Sequence, residues 1–226
     1  MVRYVLRIAA DAIVVAIALF VSSGTLAWWR AWVLLMVLFT IRAVGAIALN
    51  RINPALLRER AGLPIHKEQS WSDRVLLTGV LITGFVGLPL IAGLDVFRWQ
   101  TFPRPPVWLS SIGLLLFALG WTLKGLALRA NAFAIAVVRK QREREHAVAD
   151  TGPYRVVRHP FYAADPLILV GLGLWLESYV AALASVVPIA LMVVRLVLEE
   201  RFLCRELPGY AAYVERVRSR LLPGIW

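Results

Sequence analysis

The chain has 226 residues, 60% of them hydrophobic and only 17% charged, with a mean hydropathy of +0.70. A soluble domain runs nearer about 45–50% apolar with about a quarter of its residues charged, so composition excludes an ordinary soluble fold and indicates a polytopic membrane protein. The formal net charge is +11, but no basic nucleic-acid-binding module accompanies it, which argues against a nucleic-acid partner. The cations fall in loops, where membrane orientation and anionic lipid headgroups account for them.

In chain order, four spans are predicted, at residues 4–21, 28–49, 75–94 and 107–128, each near the roughly 20 residues that a hydrocarbon core requires. Asp11 interrupts the first, and a second span follows it rather than a cleavage site, so it reads as a retained helix. Asp11 and Arg42 fall at similar depth in the first two spans. Two arrangements fit: the two residues face each other across the helix pair, or Arg7 neutralises Asp11 at i,i+4 while Arg42 snorkels. Asn53-Pro54 marks a turn, and the A-L-L-R-E-R that follows suits a short interfacial helix. Lys124, a turn inside the end of the fourth span, is expected to snorkel.

The last apolar block, residues 165–198, is too long for one untilted pass and is broken by Glu177 and Ser178. It reads as a helical hairpin with arms at 166–176 and 179–198. Arg195 stands four residues before Glu199, so those two side chains can pair on one helix, either as a simple interfacial ion pair or as a contact that keeps Glu199 ionised and aimed at a ligand. Lysine and arginine concentrate in the 51–74 loop, in the 129–158 segment and in the tail after residue 198, while the other linkers are poor in them. The positive-inside rule places the rich segments and both termini in the cytoplasm.

There is one cysteine, Cys204, so no internal disulfide is possible, and His66, His146 and His159 share no helix-face spacing that would suit a metal. Chemistry is expected where the polar insert 131–159 meets the hairpin. Thr151-Gly152-Pro153-Tyr154 is a turn signal. In R-H-P-F-Y, Pro160 keeps His159 out of the helical region and suits the first turn of the next helix. If the hairpin is antiparallel, Glu199 and Glu200 return to the same mouth as Arg158 and His159, with Tyr154 and Tyr162 close by. Such a convergent polar group under an apolar roof is either a binding site or an interfacial anchor.

The pattern G-P-Y-R-V-V-R-H-P-F-Y, a hairpin, E-E-R-F-L, Y-A-A-Y-V and the terminal Pro223 resembles the isoprenylcysteine carboxyl methyltransferase family, within the wider phospholipid methyltransferase-like group. The resemblance covers about the last 100 residues, and earlier N-P-A-L-L-R-E-R at 53–60 matches in general character. It implies an all-α membrane bundle of four spans plus a C-terminal helical hairpin, with a cytoplasmic S-adenosylmethionine pocket. One domain, 1–226, is implied: spans in 1–130, then a donor-binding segment, hairpin and C-terminal cap in 131–226. It further implies an S-adenosylmethionine-dependent methyltransferase acting on a lipophilic acceptor among membrane lipids, with no metal. His146, Gly152, Pro153, Tyr154, His159, Pro160, Tyr162 and Glu200 would line the donor site, and Arg158 and Glu199 would lie nearer the reacting end. An isoprenylcysteine-type carboxylate, a phospholipid amine and a small thiol compete as acceptor; a non-catalytic membrane protein or transporter is the reading from another class. The chain departs from the family at Ala164, where glycine is usual and where a methyl would crowd a close backbone approach. Asp165 is either the N-cap of a helix from Pro166 onward or a substrate contact.

Overall fold

The computed structural model describes residues 2–62, 69–131 and 148–226. Helix α1 (Val2–Ser23) and helix α2 (Trp29–Ile52) form the first antiparallel pair, and α3 (Pro54–Arg60) is the short helix expected after Asn53, whose side chain accepts from the Leu56 N–H at 3.0 Å. A third span, Trp71–Trp99, is built from α4 (Trp71–Val80), a π-helical stretch at Leu81–Gly87, α5 (Leu88–Leu94) and a second π-helical stretch at Asp95–Trp99. Helix α6 (Val107–Ala130) is the fourth. A 3₁₀ turn at Gly152–Arg155 leads to α7 (Pro160–Trp175), and the chain returns through α8 (Tyr179–Ala184) and α9 (Val186–Glu206) to α10 (Tyr210–Arg216). Among the described residues, five helical segments are long and apolar enough to cross a membrane: α1, α2, Trp71–Trp99, α6 and Tyr179–Glu206; α7 is shorter.

The final apolar block is a hairpin, as its length and its interruption predict. Its turn is held by a set of interlocking contacts. Glu177 takes a left-handed φ of 63°, unusual for a residue with a side chain, and its carboxylate meets Arg30 at 3.1 Å. The Arg30 guanidinium lies against the Trp29 and Trp175 rings, 4.8 and 4.6 Å from their centroids. The Arg30 Nη1 donates to the Trp175 carbonyl at 3.1 Å, and Trp175 Nε1 donates back to the Arg30 carbonyl at 2.8 Å. Ser178 caps α8 through the Ala181 N–H and donates to Asp95 at 2.7 Å. A charged group at the end of a span is thereby paired, not merely solvated.

The charges inside the spans are likewise paired, and this revises several expectations. Asp11 accepts from both Arg7 (2.9 Å) and Arg42 (2.7 Å), so the two arrangements considered for it coexist. Arg42 also lies over the Trp121 ring, 5.0 Å from its centroid. Lys124 does not snorkel. It pairs with Asp165 at 2.6 Å, and both side chains are largely buried. Asp165 is accordingly not an N-cap: α7 begins at Pro160, not Pro166, because Pro160 already supplies a helical first turn, and Asp165 sits inside the helix facing α6.

Helices α6 and α7 pack backbone to backbone. A Cβ on Gly171 would stand 2.6 Å from the Gly113 carbonyl oxygen, and one on Gly120 would stand 2.8 Å from the Ala164 carbonyl oxygen. Small residues at such crossings let helices approach in a lipid setting where apolar burial alone does not drive association. The glycine that the family places at position 164 is replaced here, yet Ala164 is fully buried and the close approach is made from the α6 side by Gly120. Gly171→Ala is expected to push α7 from α6 and to destabilise the protein by roughly 1–3 kcal/mol, read as a lower thermal midpoint in detergent; Gly125→Ala, which meets open space, serves as the matched control.

Candidate active site

The hairpin carries Glu199 and Glu200 back to the end where it began. Consecutive residues on a helix project roughly 100° apart, so the doublet splits. Glu200 turns toward the R-H-P step: Arg158 Nε donates to its Oε1 at 2.6 Å, His159 Nε2 lies 3.5 Å from the same oxygen, and Arg220 Nε donates to Oε2 at 2.5 Å. Glu199 turns the other way and accepts from the Tyr162 hydroxyl.

Arg158 is the centre of this mouth and is 5% exposed. Beyond Glu200, its Nη1 donates to the Val217 and Arg218 carbonyls, both at 2.7 Å. The backbone N–H groups of Arg158 and His159 donate to the Ser219 and Arg220 carbonyls at 2.9 and 3.0 Å. The irregular backbone that Pro160 imposes on His159 thus finds its partners in the tail, as irregular backbone at membrane depth must. Helix α10 adds a second clasp. Tyr213 donates to the Tyr154 carbonyl at 2.7 Å, and the Tyr210 hydroxyl lies 3.4 Å from His159 Nε2. Asn131, at the end of α6, donates to the Tyr154 hydroxyl at 3.2 Å.

Burial pushes the Tyr154 hydroxyl up to about 12, against the hydrogen bond from Asn131. Burial also raises Tyr213 and Tyr210, the latter further because the Glu200 and Glu199 carboxylates stand near it. All three therefore remain neutral hydrogen-bond donors throughout the physiological range.

A cavity of about 480 Å³ opens between this mouth and the spans. That is within the roughly 300–1,000 Å³ typical of small-molecule sites. Its polar end is bordered by Tyr154, Arg158, His159, Tyr162 and Glu199, and by the buried pairs around Asp11 and Asp165. Its far wall is apolar, with Leu34, Phe85, Phe117 and Leu172. The π-helical stretch contributes Leu81, Gly84 and Phe85 to the wall. Such widened turns are frequent at functional sites.

Of the residues expected at a donor site, Tyr154, His159 and Tyr162 border the cavity together with Arg158 and Glu199. Gly152, Pro153 and Pro160 shape the backbone behind it and are not on its wall. Glu200 is also off the wall, held between Arg158 and Arg220. His146 lies outside the described residues. Sequence reasoning missed the contribution of the first two spans, Tyr4, Arg7 and Arg42 among them, and of Tyr210 and Tyr213 in α10 as wall residues. The in-span charges were the available signal for the former. The expected Arg195–Glu199 pair is replaced: Arg195 donates from Nε to Asp73 at 2.7 Å and from Nη1 to the Tyr162 hydroxyl at 2.6 Å.

The fold and this cavity define an all-helical, multi-pass integral membrane protein with an internal amphipathic site. Residues 108–207 match the phospholipid methyltransferase family model. The chain is 30% identical over 156 residues to protein-S-isoprenylcysteine O-methyltransferase B of Arabidopsis thaliana, covering 66% of this chain and 79% of that protein. It is 24% identical over 155 residues to the A form from the same plant, with the same coverages. It is 30% identical over 110 residues to the cobalt-zinc-cadmium resistance protein CzcN of Cupriavidus metallidurans, 48% of this chain and 49% of that protein. The chain belongs to the isoprenylcysteine carboxyl methyltransferase family and is an integral membrane methyltransferase.

Two outcomes test the mouth. Arg158→Ala removes one of the two arginines on Glu200 and the donor to the Val217 and Arg218 carbonyls, and breaking such a buried pair typically costs up to about 3–5 kcal/mol. The tail from residue 217 onward is expected to become an early cleavage site in limited proteolysis. Alkaline titration followed by phenolate absorbance is expected to show Tyr154 ionising only near pH 12. Because its pKa is raised in the folded state, its contribution to stability is full below about pH 10 and is lost as pH rises through about 12. Tyr154→Phe should therefore flatten that part of the alkaline loss of thermal stability.

Proposed function

We propose that the polar end of the cavity takes S-adenosylmethionine and that the apolar depth takes a lipophilic acceptor, an isoprenylcysteine-type carboxylate. The observation that carries this reading is the continuity of one cavity from the Tyr154–His159–Tyr162–Glu199 mouth to the Leu34–Phe117–Leu172 wall. A water-soluble donor and a greasy acceptor need adjoining environments of opposite polarity, and this cavity offers both.

The residues present fit the donor. S-adenosylmethionine supplies an electrophilic methyl group on a sulfonium. Glu199 offers a carboxylate whose described partner is the neutral Tyr162 hydroxyl, which suits a cationic ligand. Tyr154, Tyr210 and His159 offer hydrogen bonds to polar atoms of a nucleoside or an amino acid. His146, by resemblance, would join them, and the Gly152-Pro153 turn and Pro160 would hold the backbone that carries the site. Glu200 and Arg158 act on the donor site by fixing the tail over it. Arg158, at the reacting end, contributes position and positive potential.

A carboxylate is already a nucleophile at neutral pH, so no general base is needed. The chain contributes orientation and exclusion of water, which are the terms that matter when two bound groups must meet in line. A thiol or an amine would first have to lose a proton, and Glu199 is then the nearest candidate to receive it. The basic loops support a mouth on the cytoplasmic side by the positive-inside rule.

Titration calorimetry on the detergent-purified protein should show saturable binding of S-adenosylmethionine. Labelled methyl should pass to a prenylcysteine analogue in preference to an alkyl thiol or a lipid amine. Absence of donor binding would overturn the donor assignment; label in the thiol or the lipid fraction instead would move the acceptor. Glu199→Gln discriminates further. At saturating donor it should cost a thiol acceptor the roughly 10²–10⁴-fold that a general base contributes, and a carboxylate acceptor much less.

A further inference from the structure

Rotamer reach alone lets Arg195 pair with Glu199, four residues on along the same helix. The structure shows the guanidinium drawn elsewhere. Asp73, on α4, accepts from Arg195 Nε at 2.7 Å, and both side chains are about nine-tenths buried. Asp73 is itself held in place, receiving a hydrogen bond from Gln69 Nε2 at 2.6 Å and capped at its backbone N–H by Ser70. Arg195 Nη1 then donates to the Tyr162 hydroxyl at 2.6 Å. A phenol oxygen that accepts from a guanidinium has one proton left to give, and it gives it to Glu199. The series Gln69, Asp73, Arg195, Tyr162, Glu199 therefore has one consistent direction of donation from Arg195 toward Glu199. Tyr162, Arg195 and Glu199 border the cavity, whereas Asp73 and Gln69 do not.

We propose that Asp73 is a positioning residue: by holding Arg195 it keeps that cation off Glu199, so that the Glu199 charge is turned to the cavity and available to a cationic ligand. Without Asp73 the guanidinium can reach the Glu199 carboxylate, four residues on along its own helix. The wall would then present a closed ion pair in place of a carboxylate. The same contacts explain why Glu199 and Glu200, adjacent in sequence, do different work. Glu200 is neutralised by two arginines as part of the clasp, while Glu199 meets Arg195 through the Tyr162 hydroxyl and not in a direct ion pair. The proposal rests on the cavity being the donor site, and deepens it by naming what sets the charge of its wall.

The test uses the full chain in detergent and two ligands that share a nucleoside. S-adenosylmethionine carries an ammonium and a sulfonium; 5′-methylthioadenosine carries neither. Asp73→Asn keeps the shape of the side chain and removes its charge. It is expected to weaken S-adenosylmethionine by about tenfold, ~1.4 kcal/mol, and to change 5′-methylthioadenosine less than twofold. Asp73→Glu should restore most of the loss. An equal loss for both ligands, or no loss for either, overturns the proposal and leaves the donor reading standing. A crystal structure of Asp73→Asn gives an answer that does not depend on donor binding: Arg195 turned onto Glu199 supports the proposal, and Arg195 still on the Tyr162 hydroxyl overturns it even if the donor site lies elsewhere.

Discussion

The Arg158–Glu200 contact is the constraint on which the rest of the molecule depends. It joins the residues that lead into the hairpin to the last two turns of its return arm, and through the same guanidinium it takes in the tail. Three pieces of chain that are far apart in sequence are held by one buried fork, whose planar geometry suits a carboxylate and two carbonyls at once. Such a pair costs desolvation and is weak evidence for stability by itself. Its value here is geometric. It fixes the azimuth of α9, and so decides that Glu199, not Glu200, looks into the cavity.

The same economy governs the other charges at membrane depth. Arg7, Asp11 and Arg42 form one group, Lys124 and Asp165 another, Asp73 and Arg195 a third, and Arg30 and Glu177 a fourth. An isolated ion in a span is costly, by about 2.5–3.5 kcal/mol on insertion scales. Arg42–Asp11, Lys124–Asp165 and Arg195–Asp73 each join two helices, Arg30–Glu177 joins α2 to the hairpin turn, and Arg7–Asp11 lies within α1. The pairs therefore act as registers between helices that apolar contact alone, in lipid, would leave free to slide. Buried Arg42 Nη1 lacks a hydrogen-bond acceptor, but the face of Trp121 beneath its guanidinium supplies an electrostatic partner in its place.

Much of this was legible in the sequence. Hydropathy located the spans to within a few residues, and Glu177-Ser178 marked the turn of the hairpin, because length and interruption are local properties. The convergence of Arg158, His159 and the glutamate doublet followed once the block was read as antiparallel. What local reasoning could not reach was the choice of partner. Lys124 could reach solvent and Arg195 could reach Glu199, and each found instead a carboxylate on another helix, Asp165 and Asp73. The i,i+4 rule describes an isolated helix; in a bundle, a buried carboxylate from a neighbouring helix competes and wins. The neighbour of Ala164 was out of reach for a related reason: the pairing of Gly120 on α6 with the Ala164 backbone is a property of two helices, not of one.

These partner choices determine where the cavity can vary. Helices α6 and α7 touch through Gly113, Gly120, Gly171 and Ala164 and have no space to give. The mouth is closed by the Arg158 clasp and by the two tyrosines of α10. The third span is different. Its π-helical stretch, Leu81–Gly87, lines the cavity, and widened turns of this kind lack the regular i→i−4 ladder. Of the walls around the apolar depth, this one has neither a glycine-tight contact with α6 nor a buried charge in its π-helical stretch. A change in the shape of the apolar depth is thus most cheaply accommodated on the third span, while the polar mouth is built from contacts that leave little latitude for change.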